Sequence, residues 1–307
     1  MSVEVSVVIP TYNRLDTLPE VLAAIEGQQA PFAWELVVVD DGSTDGTGGW
    51  LAGRRFPMPA RVVSQPNRGP AAARNAGVTA ARGELVAFLG DDTVPSPGWL
   101  AAHRQAHGRR GDPPELAVLG HTRWHARMRL TPFLRYVNDY GLQFGYAIID
   151  DPEDVPFNFF YTSNLSLRRE LLLAEPFNLG FPYAAWEDIE TGYRLKERGM
   201  RMVYEPAAVA DHDHPTDFAR FAVRQERAGY SAVVFYRLHP ELGPFLGVGP
   251  DGPPALPPSG PQRLREALVR ALQKLPVRLP RTWVTALRYH YIRGLHRAWD
   301  ERDASEA

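Results

Sequence analysis

Two pairs of adjacent aspartates follow apolar segments of the kind that form buried strands. The pair Asp91-Asp92 comes after Leu85–Leu89, and the pair Asp40-Asp41 comes after Leu36–Val39. Adjacent carboxylates offer hard oxygen ligands for Mg²⁺ or Mn²⁺, but aspartate is equally common in turns and helix caps. For the first pair alone both interpretations hold. The second pair favours a site, because parallel strands of one sheet present their carboxyl ends at the same edge.

Acidic and imidazole side chains later in the chain could join such a site. Glu187 and Asp188 stand at the predicted start of a helix, where carboxylates either serve a reaction or only face the positive end of the helix dipole. His212 and His214 alternate in an extended segment, so both rings would point to one face and could bind a metal or a diphosphate. A structural role for both histidines stays open as the alternative.

Large aromatic side chains precede the acidic segment. Tyr183 and Trp186 lie just before Glu187, beside a Gly-Phe-Pro turn. Such residues either stack on a sugar ring or fill a hydrophobic core, and both roles are open at this point.

Alternating strands and helices are predicted to position these groups. One helix begins after Asp16 or Thr17, and a second runs from Gly69 to Gly83 with small alanines suited to packing on a sheet. The expected strands are Val3–Ile9, Glu35–Val39, Ala60–Val63 and Glu84–Leu89. This succession predicts an α/β fold, a Rossmann-like and mostly parallel sheet flanked by helices.

Several classes of protein and site are disfavoured. The segment Pro10–Arg14 after the first strand contains no glycine, and the chain has no P-loop, which argues against NAD and ATP sites of those types. The formal net charge of -2 makes nucleic acid an unexpected partner. The absence of cysteine excludes disulfides and thiolate metal sites. The chain shows no leader pattern and no apolar run of about 18 residues, so a cytoplasmic location is predicted.

The last third of the chain changes in composition. Residues 241–261 are rich in proline and glycine and are predicted to form a linker. Arg263–Trp299 is predicted to form two short amphipathic helices, broken at Pro276 and Pro280. These helices either pack as a pair on the body or attach peripherally to anionic lipid at the inner face of a membrane.

Six segments in order give a resemblance that covers roughly residues 3 to 215. They are VVIPTYNR (7–14), VVVDDGSTDGT (37–47), NRGPAAARNAG (67–77), FLGDDTVPSPGWL (88–100), TSNLSLRR (162–169) and WEDIETGYRLKERGMRMVYEP (186–206). The chain resembles family-2 glycosyltransferases. The resemblance implies the GT-A fold and transfer of a sugar from a nucleotide-diphospho-sugar, with UDP favoured, to a hydroxyl on a glycan, a lipid-linked molecule or a small molecule.

The resemblance also implies a divalent metal, Mn²⁺ or Mg²⁺. Asp92 matches the last residue of the family's D-x-D motif and would bind it. His212 matches the family's metal-binding histidine, with His214 a weaker candidate. The sequence departs from the pattern at Gly90, where many relatives have a further aspartate.

The remaining roles follow the same motifs. Asp188 matches the aspartate of the family's E-D motif and would be the general base of an inverting transfer, with Glu187 holding sugar or acceptor hydroxyls. Asp41 would accept from the base edge, and Arg74 would either neutralise phosphate or pair with Asp41. The residues expected at the nucleotide-sugar are Pro10, Thr11, Tyr12, Arg14, Asp41, Arg74 and Asp91, and those expected at the acceptor are Trp186, Tyr183 and Asn164.

The resemblance and the change in composition together divide the chain into three regions. A GT-A region spans 1–240, with a nucleotide-binding half at 1–100 and a catalytic and acceptor half at 101–240. The linker at 241–261 and a helical extension at 262–307 follow it. A retaining transferase on the same fold, and a sugar-nucleotide-binding protein without turnover, are the competing hypotheses.

Overall fold

The computed structural model describes residues 2–139, 143–272 and 280–306, and the chain divides into two compact units. The first unit comprises Met1–Met128, Tyr146–Leu179 and Glu187–His214. The second comprises Arg129–Gly145, Gly180–Trp186 and Pro215–Ala307. Residues 215–240, which the sequence analysis placed in the GT-A region, belong to the second unit.

An eight-stranded mixed sheet forms the centre of the first unit. Its strands are β1 (Val5–Thr11), β2 (Trp34–Asp40), β3 (Ala60–Ser64), β4 (Leu85–Leu89), β5 (Thr93–Pro95), β6 (Leu116–Trp124), β7 (Asn164–Arg168) and β8 (Arg201–His212). The spatial order is β3-β2-β1-β4-β7-β6-β8-β5. The first four in that order are parallel, β6 and β8 are parallel, and β7 and β5 run antiparallel to their neighbours. The four predicted strands are confirmed, with ends that differ by one or two residues.

Alternate side chains of the central strands enter two separate hydrophobic clusters. In β1, Val7 and Ile9 pack on one face of the sheet and Val8 on the other, and all three are fully buried. Burial on both faces explains why these strands are continuous apolar runs. The carboxyl ends of β1, β2 and β4 therefore leave a rigid layer at one edge.

Helices cover both faces of this sheet in the first unit. They are α1 (Leu18–Glu26), α2 (Thr47–Ala52), α3 (Pro70–Ala80), α4 (Trp99–Gly108), α6 (Arg169–Ala174) and α7 (Glu187–Glu197). Two predicted helix ends differ from the structure. The hydroxyl of Thr17 donates to the carbonyl of Asp91 instead of capping α1, and α3 ends at Ala80 because Ala81 is already extended.

The second unit is helical. Its helices are α5 (Pro132–Asp139), α8 (Phe218–Leu238), α9 (Gly243–Leu246), α10 (Ser259–Leu272) and α11 (Pro280–Glu306). Part of the predicted linker is ordered, since α9 lies within it and Leu246 and Val248 are buried. The prediction of two short C-terminal helices is wrong for α11, which has 27 residues and begins at Pro280; Pro276 lies outside the described residues. No described helix is long and apolar enough to cross a membrane.

Helices α8 and α11 approach closely through two glycines. A side-chain carbon on Gly229 would overlap the carbonyl oxygen of Tyr291, and one on Gly294 would overlap the carbonyl oxygen of Glu226.

The Gly229→Ala variant should therefore lose about 2–4 kcal/mol of unfolding free energy, because the helices must separate. Thermal and denaturant unfolding measure this. Gly260→Ala, at a helical position with open space around it, is the matched control and should unfold no more easily than wild type.

Candidate active site

A short antiparallel pairing places the pair Asp91-Asp92 beside two histidines. After β4 the chain turns at Gly90, and β5 then pairs with β8 so that Thr93 lies opposite His212. The amide of Asp213 donates to the carbonyl of Asp92 at 2.7 Å and extends this pairing to the turn. Residues 120 positions apart in sequence are brought together by this ladder, which no local pattern in the sequence predicts.

Asp92, His212 and His214 form a cluster that could hold a metal ion. Asp92 Oδ2 lies 3.1 Å from His214 Nδ1, and Asp92 Oδ1 lies 3.4 Å from His212 Nε2. One ligand atom from each residue falls within 4.8 Å of the others, and the two imidazole rings stack in parallel 5.4 Å apart. One carboxylate and two imidazoles suit Mn²⁺ better than Mg²⁺, which prefers oxygen ligands. His214, the weaker candidate from sequence, is as close to Asp92 as His212 is.

The glycine that departs from the family pattern fits the local packing. A side-chain carbon on Gly90 would lie 2.7 Å from the hydroxyl of Thr93 and 3.2 Å from Asp92 Oδ1. A third aspartate would therefore crowd Thr93 and the Asp92 carboxylate. With glycine at position 90, the cluster offers one carboxylate and two imidazoles.

Arg14 contacts both aspartates of the pair. Its Nη2 lies 3.4 Å from Asp92 Oδ2 and its Nε lies 3.5 Å from Asp91 Oδ1. Burial raises the pKa of Asp91 to about 7, and the charge of Asp92 adds to this shift. Burial alone would also raise the pKa of Asp92, but His212, His214 and Arg14 outweigh it and hold that pKa well below its usual range. Asp92 is therefore the ionised member of the pair.

The loop after β2 is fixed by its own aspartates. Asp41 is buried and accepts hydrogen bonds from Gln65 Nε2 (2.7 Å) and from the amides of Arg68 (3.0 Å) and Gly69 (2.8 Å). Asp40 accepts from the amide of Ser43 at 3.1 Å and so holds the turn after β2. A nucleotide base that donated a hydrogen bond to Asp41 would therefore use a carboxylate that already positions the loop before α3.

The loop after β1 lies beside these groups in the same unit. The side chain of Asn13 accepts from the amide of Thr44 at 2.7 Å, and the amide of Asn13 donates to Ser43, so the two loops hold each other. Thr11 is buried, whereas the ring of Tyr12 is 46% exposed and free to pack on a base. Pro10 ends the fully buried part of β1.

Arg74 does not pair with Asp41, so that one of the two roles predicted for this arginine is wrong. Its Nη1 donates instead to Glu187 Oε1 at 2.8 Å, across 113 residues, and its guanidinium lies over the ring of Phe177. Glu187 is 3% exposed, and its second carboxylate oxygen is buried without a hydrogen-bond partner among the described residues. The arginine therefore fixes one oxygen and leaves the other free.

Asp188 lies at the start of α7, next to the segment before β7. Its Oδ2 is 3.4 Å from the amide of Thr162, and its Oδ1 accepts from the amide of Ile189 at 2.9 Å. Burial, followed by the charge of Glu187, raises the pKa of Asp188 to about 6. A carboxylate with this pKa is ionised at neutral pH and is a stronger base than an exposed aspartate.

Asn164 is a structural residue, and the predicted contact with an acceptor is contradicted. The residue is fully buried; its Oδ1 accepts from Trp99 Nε1 at 2.7 Å and lies 2.9 Å from His103 Nε2, and its Nδ2 donates to the carbonyl of Ala208 at 2.9 Å. Burial lowers the pKa of His103 to about 4, so its ring is neutral. Asn164 thus anchors the start of β7, directly after Thr162 and Ser163.

The two aromatic candidates belong to the second unit and bond within it. Trp186 Nε1 donates to the carbonyl of Ala228 at 2.9 Å, and its ring contacts Phe235 and Phe245. Trp186 also has a φ of 73°, a left-handed conformation unusual for tryptophan. The ring of Tyr183 packs edge-on against Tyr230, and its hydroxyl accepts from Arg297 Nη2 at 2.9 Å.

Two residues at the site have contacts that the sequence analysis did not assign. Thr162, whose backbone faces Asp188, lies in a motif that the sequence analysis matched without giving it a role. Gln65, the third donor to Asp41, has no sequence signal, since its position depends on the turn after β3.

Known proteins resemble this chain in sequence. The family model described as "Glycosyl transferase family 2" matches residues 6–173. Validoxylamine A glucosyltransferase of Streptomyces hygroscopicus subsp. limoneus is 30% identical over 271 residues, covering 78% of this chain and 58% of its own length. Pre-mycofactocin glycosyltransferase of Mycobacterium tuberculosis (strain ATCC 25618 / H37Rv) is 28% identical over 243 residues, covering 78% of this chain and 48% of its own length. The chain thus spans about half the length of these relatives.

Solved structures share the fold. The mannosyltransferase PcManGT from Pyrobaculum calidifontis, in complex with GDP-Man and Mn²⁺, superposes with a TM-score of 0.62 at 21% identity, over 98% of this chain and 88% of the other. S. aureus TarS 1-349 in complex with UDP gives a TM-score of 0.55 at 17% identity, over 96% of this chain and 91% of the other. The predicted GT-A architecture is therefore confirmed.

Proposed function

This chain belongs to glycosyl transferase family 2, and from that premise we propose that it moves a sugar from a nucleotide-diphospho-sugar to a hydroxyl acceptor. One observation carries the proposal. Two consecutive residues connect the cluster of Asp92, His212 and His214 with the carboxylates Glu187 and Asp188. The carbonyl of Ser163 accepts from the amide of Gly90, at the turn before Asp91-Asp92, and the amide of Thr162 faces Asp188. A diphosphate at the first cluster would therefore have its sugar within reach of the second.

The donor is proposed to lie along the carboxyl ends of β1, β2 and β4. Tyr12 would pack on the base, Asp41 would accept from its edge, and Asp91 would face the ribose. UDP-sugars are the first donors to test and GDP-sugars the second, because similar structures carry UDP and GDP-Man. Arg14, which contacts both aspartates, would also counter phosphate charge.

Asp92, His212 and His214 are the residues proposed to hold a divalent ion. When bound, such an ion would neutralise the charge that develops on the diphosphate leaving group. The donor set favours Mn²⁺ on chemical grounds, and the similar mannosyltransferase structure contains Mn²⁺.

Asp188 is proposed as the general base of an inverting transfer. The acceptor oxygen would bond to the anomeric carbon while the bond from that carbon to the diphosphate oxygen breaks, and the acceptor proton would pass to Asp188. Glu187, held by Arg74, keeps one oxygen without a hydrogen bond and could accept from a sugar hydroxyl. NMR of the product tests this stereochemistry, since a retained anomeric configuration would exclude the inverting route.

The acceptor is proposed to be a glycan, a lipid-linked molecule or a small molecule. A screen for nucleotide release from candidate donors, followed by mass analysis of products with each acceptor class, would identify the pair. If none of the candidate donors releases its nucleotide, the competing hypothesis of a binding protein without turnover would be favoured. We also propose a cytoplasmic location, with peripheral contact at the inner face of a membrane.

The raised pKa of Asp188 predicts how the rate depends on pH. Asp188 must be ionised to accept a proton, so kcat at saturating donor and metal should fall about tenfold per pH unit below about pH 6. Steady-state rates between pH 5 and 8 measure this, with circular dichroism at each pH as the control for unfolding. A rate that stays constant down to pH 5 in folded protein would argue against Asp188 as the base.

A further inference from the structure

One face of α10 exposes an apolar stripe. Leu264 is 73% exposed and Leu268 is 44% exposed. Ala267 and Ala271 are also exposed, and at about 100° per residue the four side chains share an arc of roughly 100°. A helix that only packed on its own unit would turn these residues inward.

The opposite face of α10 is the one that packs. Gln262 and Val269 are buried, and Gln262 Nε2 donates to the carbonyl of Ala286 in α11 at 3.2 Å. Glu266 Oε1 lies 2.9 Å from His290 Nε2 of the same helix. The contacts with α11 therefore fix the orientation of α10 and leave the stripe on its outward side.

Arginines surround the stripe. On α10, Arg263 and Arg270 lie on one side of it and Arg265 on the other. The helix contains these three arginines and one acidic residue, Glu266, in a chain whose net charge is -2. Arg263 and Arg265 form no ion pair with any described residue, and Arg270 Nη1 lies 3.4 Å from Glu266 Oε2.

We propose that the outward face of α10 binds the surface of an anionic lipid bilayer. The arginines would contact acidic headgroups, and the leucines would enter the boundary with the acyl chains. Nucleic acid would engage the arginines alone and would leave the leucines in water. Binding at this surface does not depend on the proposed transfer reaction.

Vesicle flotation tests the proposal directly. Wild-type protein should bind phosphatidylcholine vesicles that contain about one third phosphatidylglycerol, should not bind pure phosphatidylcholine, and should release as salt is raised. The variant Leu264→Asn with Leu268→Asn should bind the acidic vesicles at least tenfold more weakly. Leu173→Asn, at another exposed leucine in the first unit, is the matched control and should bind as wild type does.

A charge variant and an activity assay complete the design. Arg263→Gln with Arg270→Gln should weaken binding and flatten its salt dependence, and all variants should melt as wild type because the changed side chains are exposed. Failure of wild-type protein to bind the acidic vesicles would overturn the proposal. Loss of binding in the arginine variant with wild-type binding in the leucine variant would also overturn it, because that result describes a site for any polyanion. Donor hydrolysis in solution, assayed in parallel, reports on the proposed transfer separately.

Discussion

Replacing Asp188 by asparagine is expected to lower kcat by about 10²–10⁴-fold while donor binding is kept. Asparagine is nearly isosteric and can still accept from the amide of Ile189, so the start of α7 should be preserved. It cannot take the acceptor's proton. Single-turnover rates with saturating donor, together with donor affinity from calorimetry, separate the chemical step from binding.

The control for this variant is a buried carboxylate away from the site. Glu35 accepts from the hydroxyl of Ser6 at 2.7 Å and is 4% exposed. Glu35→Gln should reduce stability but leave kcat within about twofold of wild type, because loss of a buried charge alone does not affect transfer. Wild-type kcat in Asp188→Asn would mean that another group is the base.

Replacing Asp92 by asparagine should weaken Mn²⁺ binding by at least about 100-fold and reduce kcat/KM by about 10³-fold. Asp92 is the carboxylate of the cluster and contacts both histidines, so its charge is the largest single contribution to cation affinity. Mn²⁺ titration followed by electron paramagnetic resonance measures binding without reference to activity. Donor affinity in the presence of Mn²⁺ should fall in parallel.

Two further variants define the ligand set. Asp211 directly precedes His212, and its carboxylate pairs with Arg123. The variant Asp211→Asn removes this carboxylate and should bind Mn²⁺ as wild type does. His214→Ala should weaken Mn²⁺ binding by about tenfold or more. Unchanged Mn²⁺ affinity in His214→Ala would reduce the proposed ligands to Asp92 and His212, whereas unchanged affinity in Asp92→Asn would remove the site.

The fold was largely predictable because its signals are local. Runs such as Leu36–Val39 are apolar throughout because both faces of the sheet are covered, and the aspartates that follow them mark the strand ends. The same reasoning placed the two aspartate pairs at one edge. Helix ends were predicted less well, because Thr17 uses its hydroxyl for a distant carbonyl instead of capping α1.

The partners of the site residues were not predictable in the same way. Arg74 pairs with Glu187 only because α3 and α7 approach each other in the folded chain, and periodicity carries no such information. Asn164 has the polar side chain expected of a ligand contact, yet tertiary structure buries it among Trp99 and His103. The motif that contains Asn164 led to a predicted acceptor contact, whereas the packing around the residue determines its role.

Gly90 shows how a departure from a family pattern can be local in origin. The turn leaves no room for a side chain without moving Thr93, whose strand pairing positions Asp92 against His212. Glycine at this position is therefore compatible with the cluster of Asp92, His212 and His214. If that cluster binds a metal ion, its one carboxylate and two imidazoles would favour Mn²⁺ over Mg²⁺.

The most direct test of a nucleotide-diphospho-sugar site is a thermal shift measured with UDP and GDP, each with and without Mn²⁺. At about 100 times its dissociation constant, the cognate nucleotide should raise Tm by about 5 °C in the presence of Mn²⁺, and by much less without the metal or in Asp92→Asn. No shift with either nucleotide in the presence of Mn²⁺ or Mg²⁺ would contradict the proposed function.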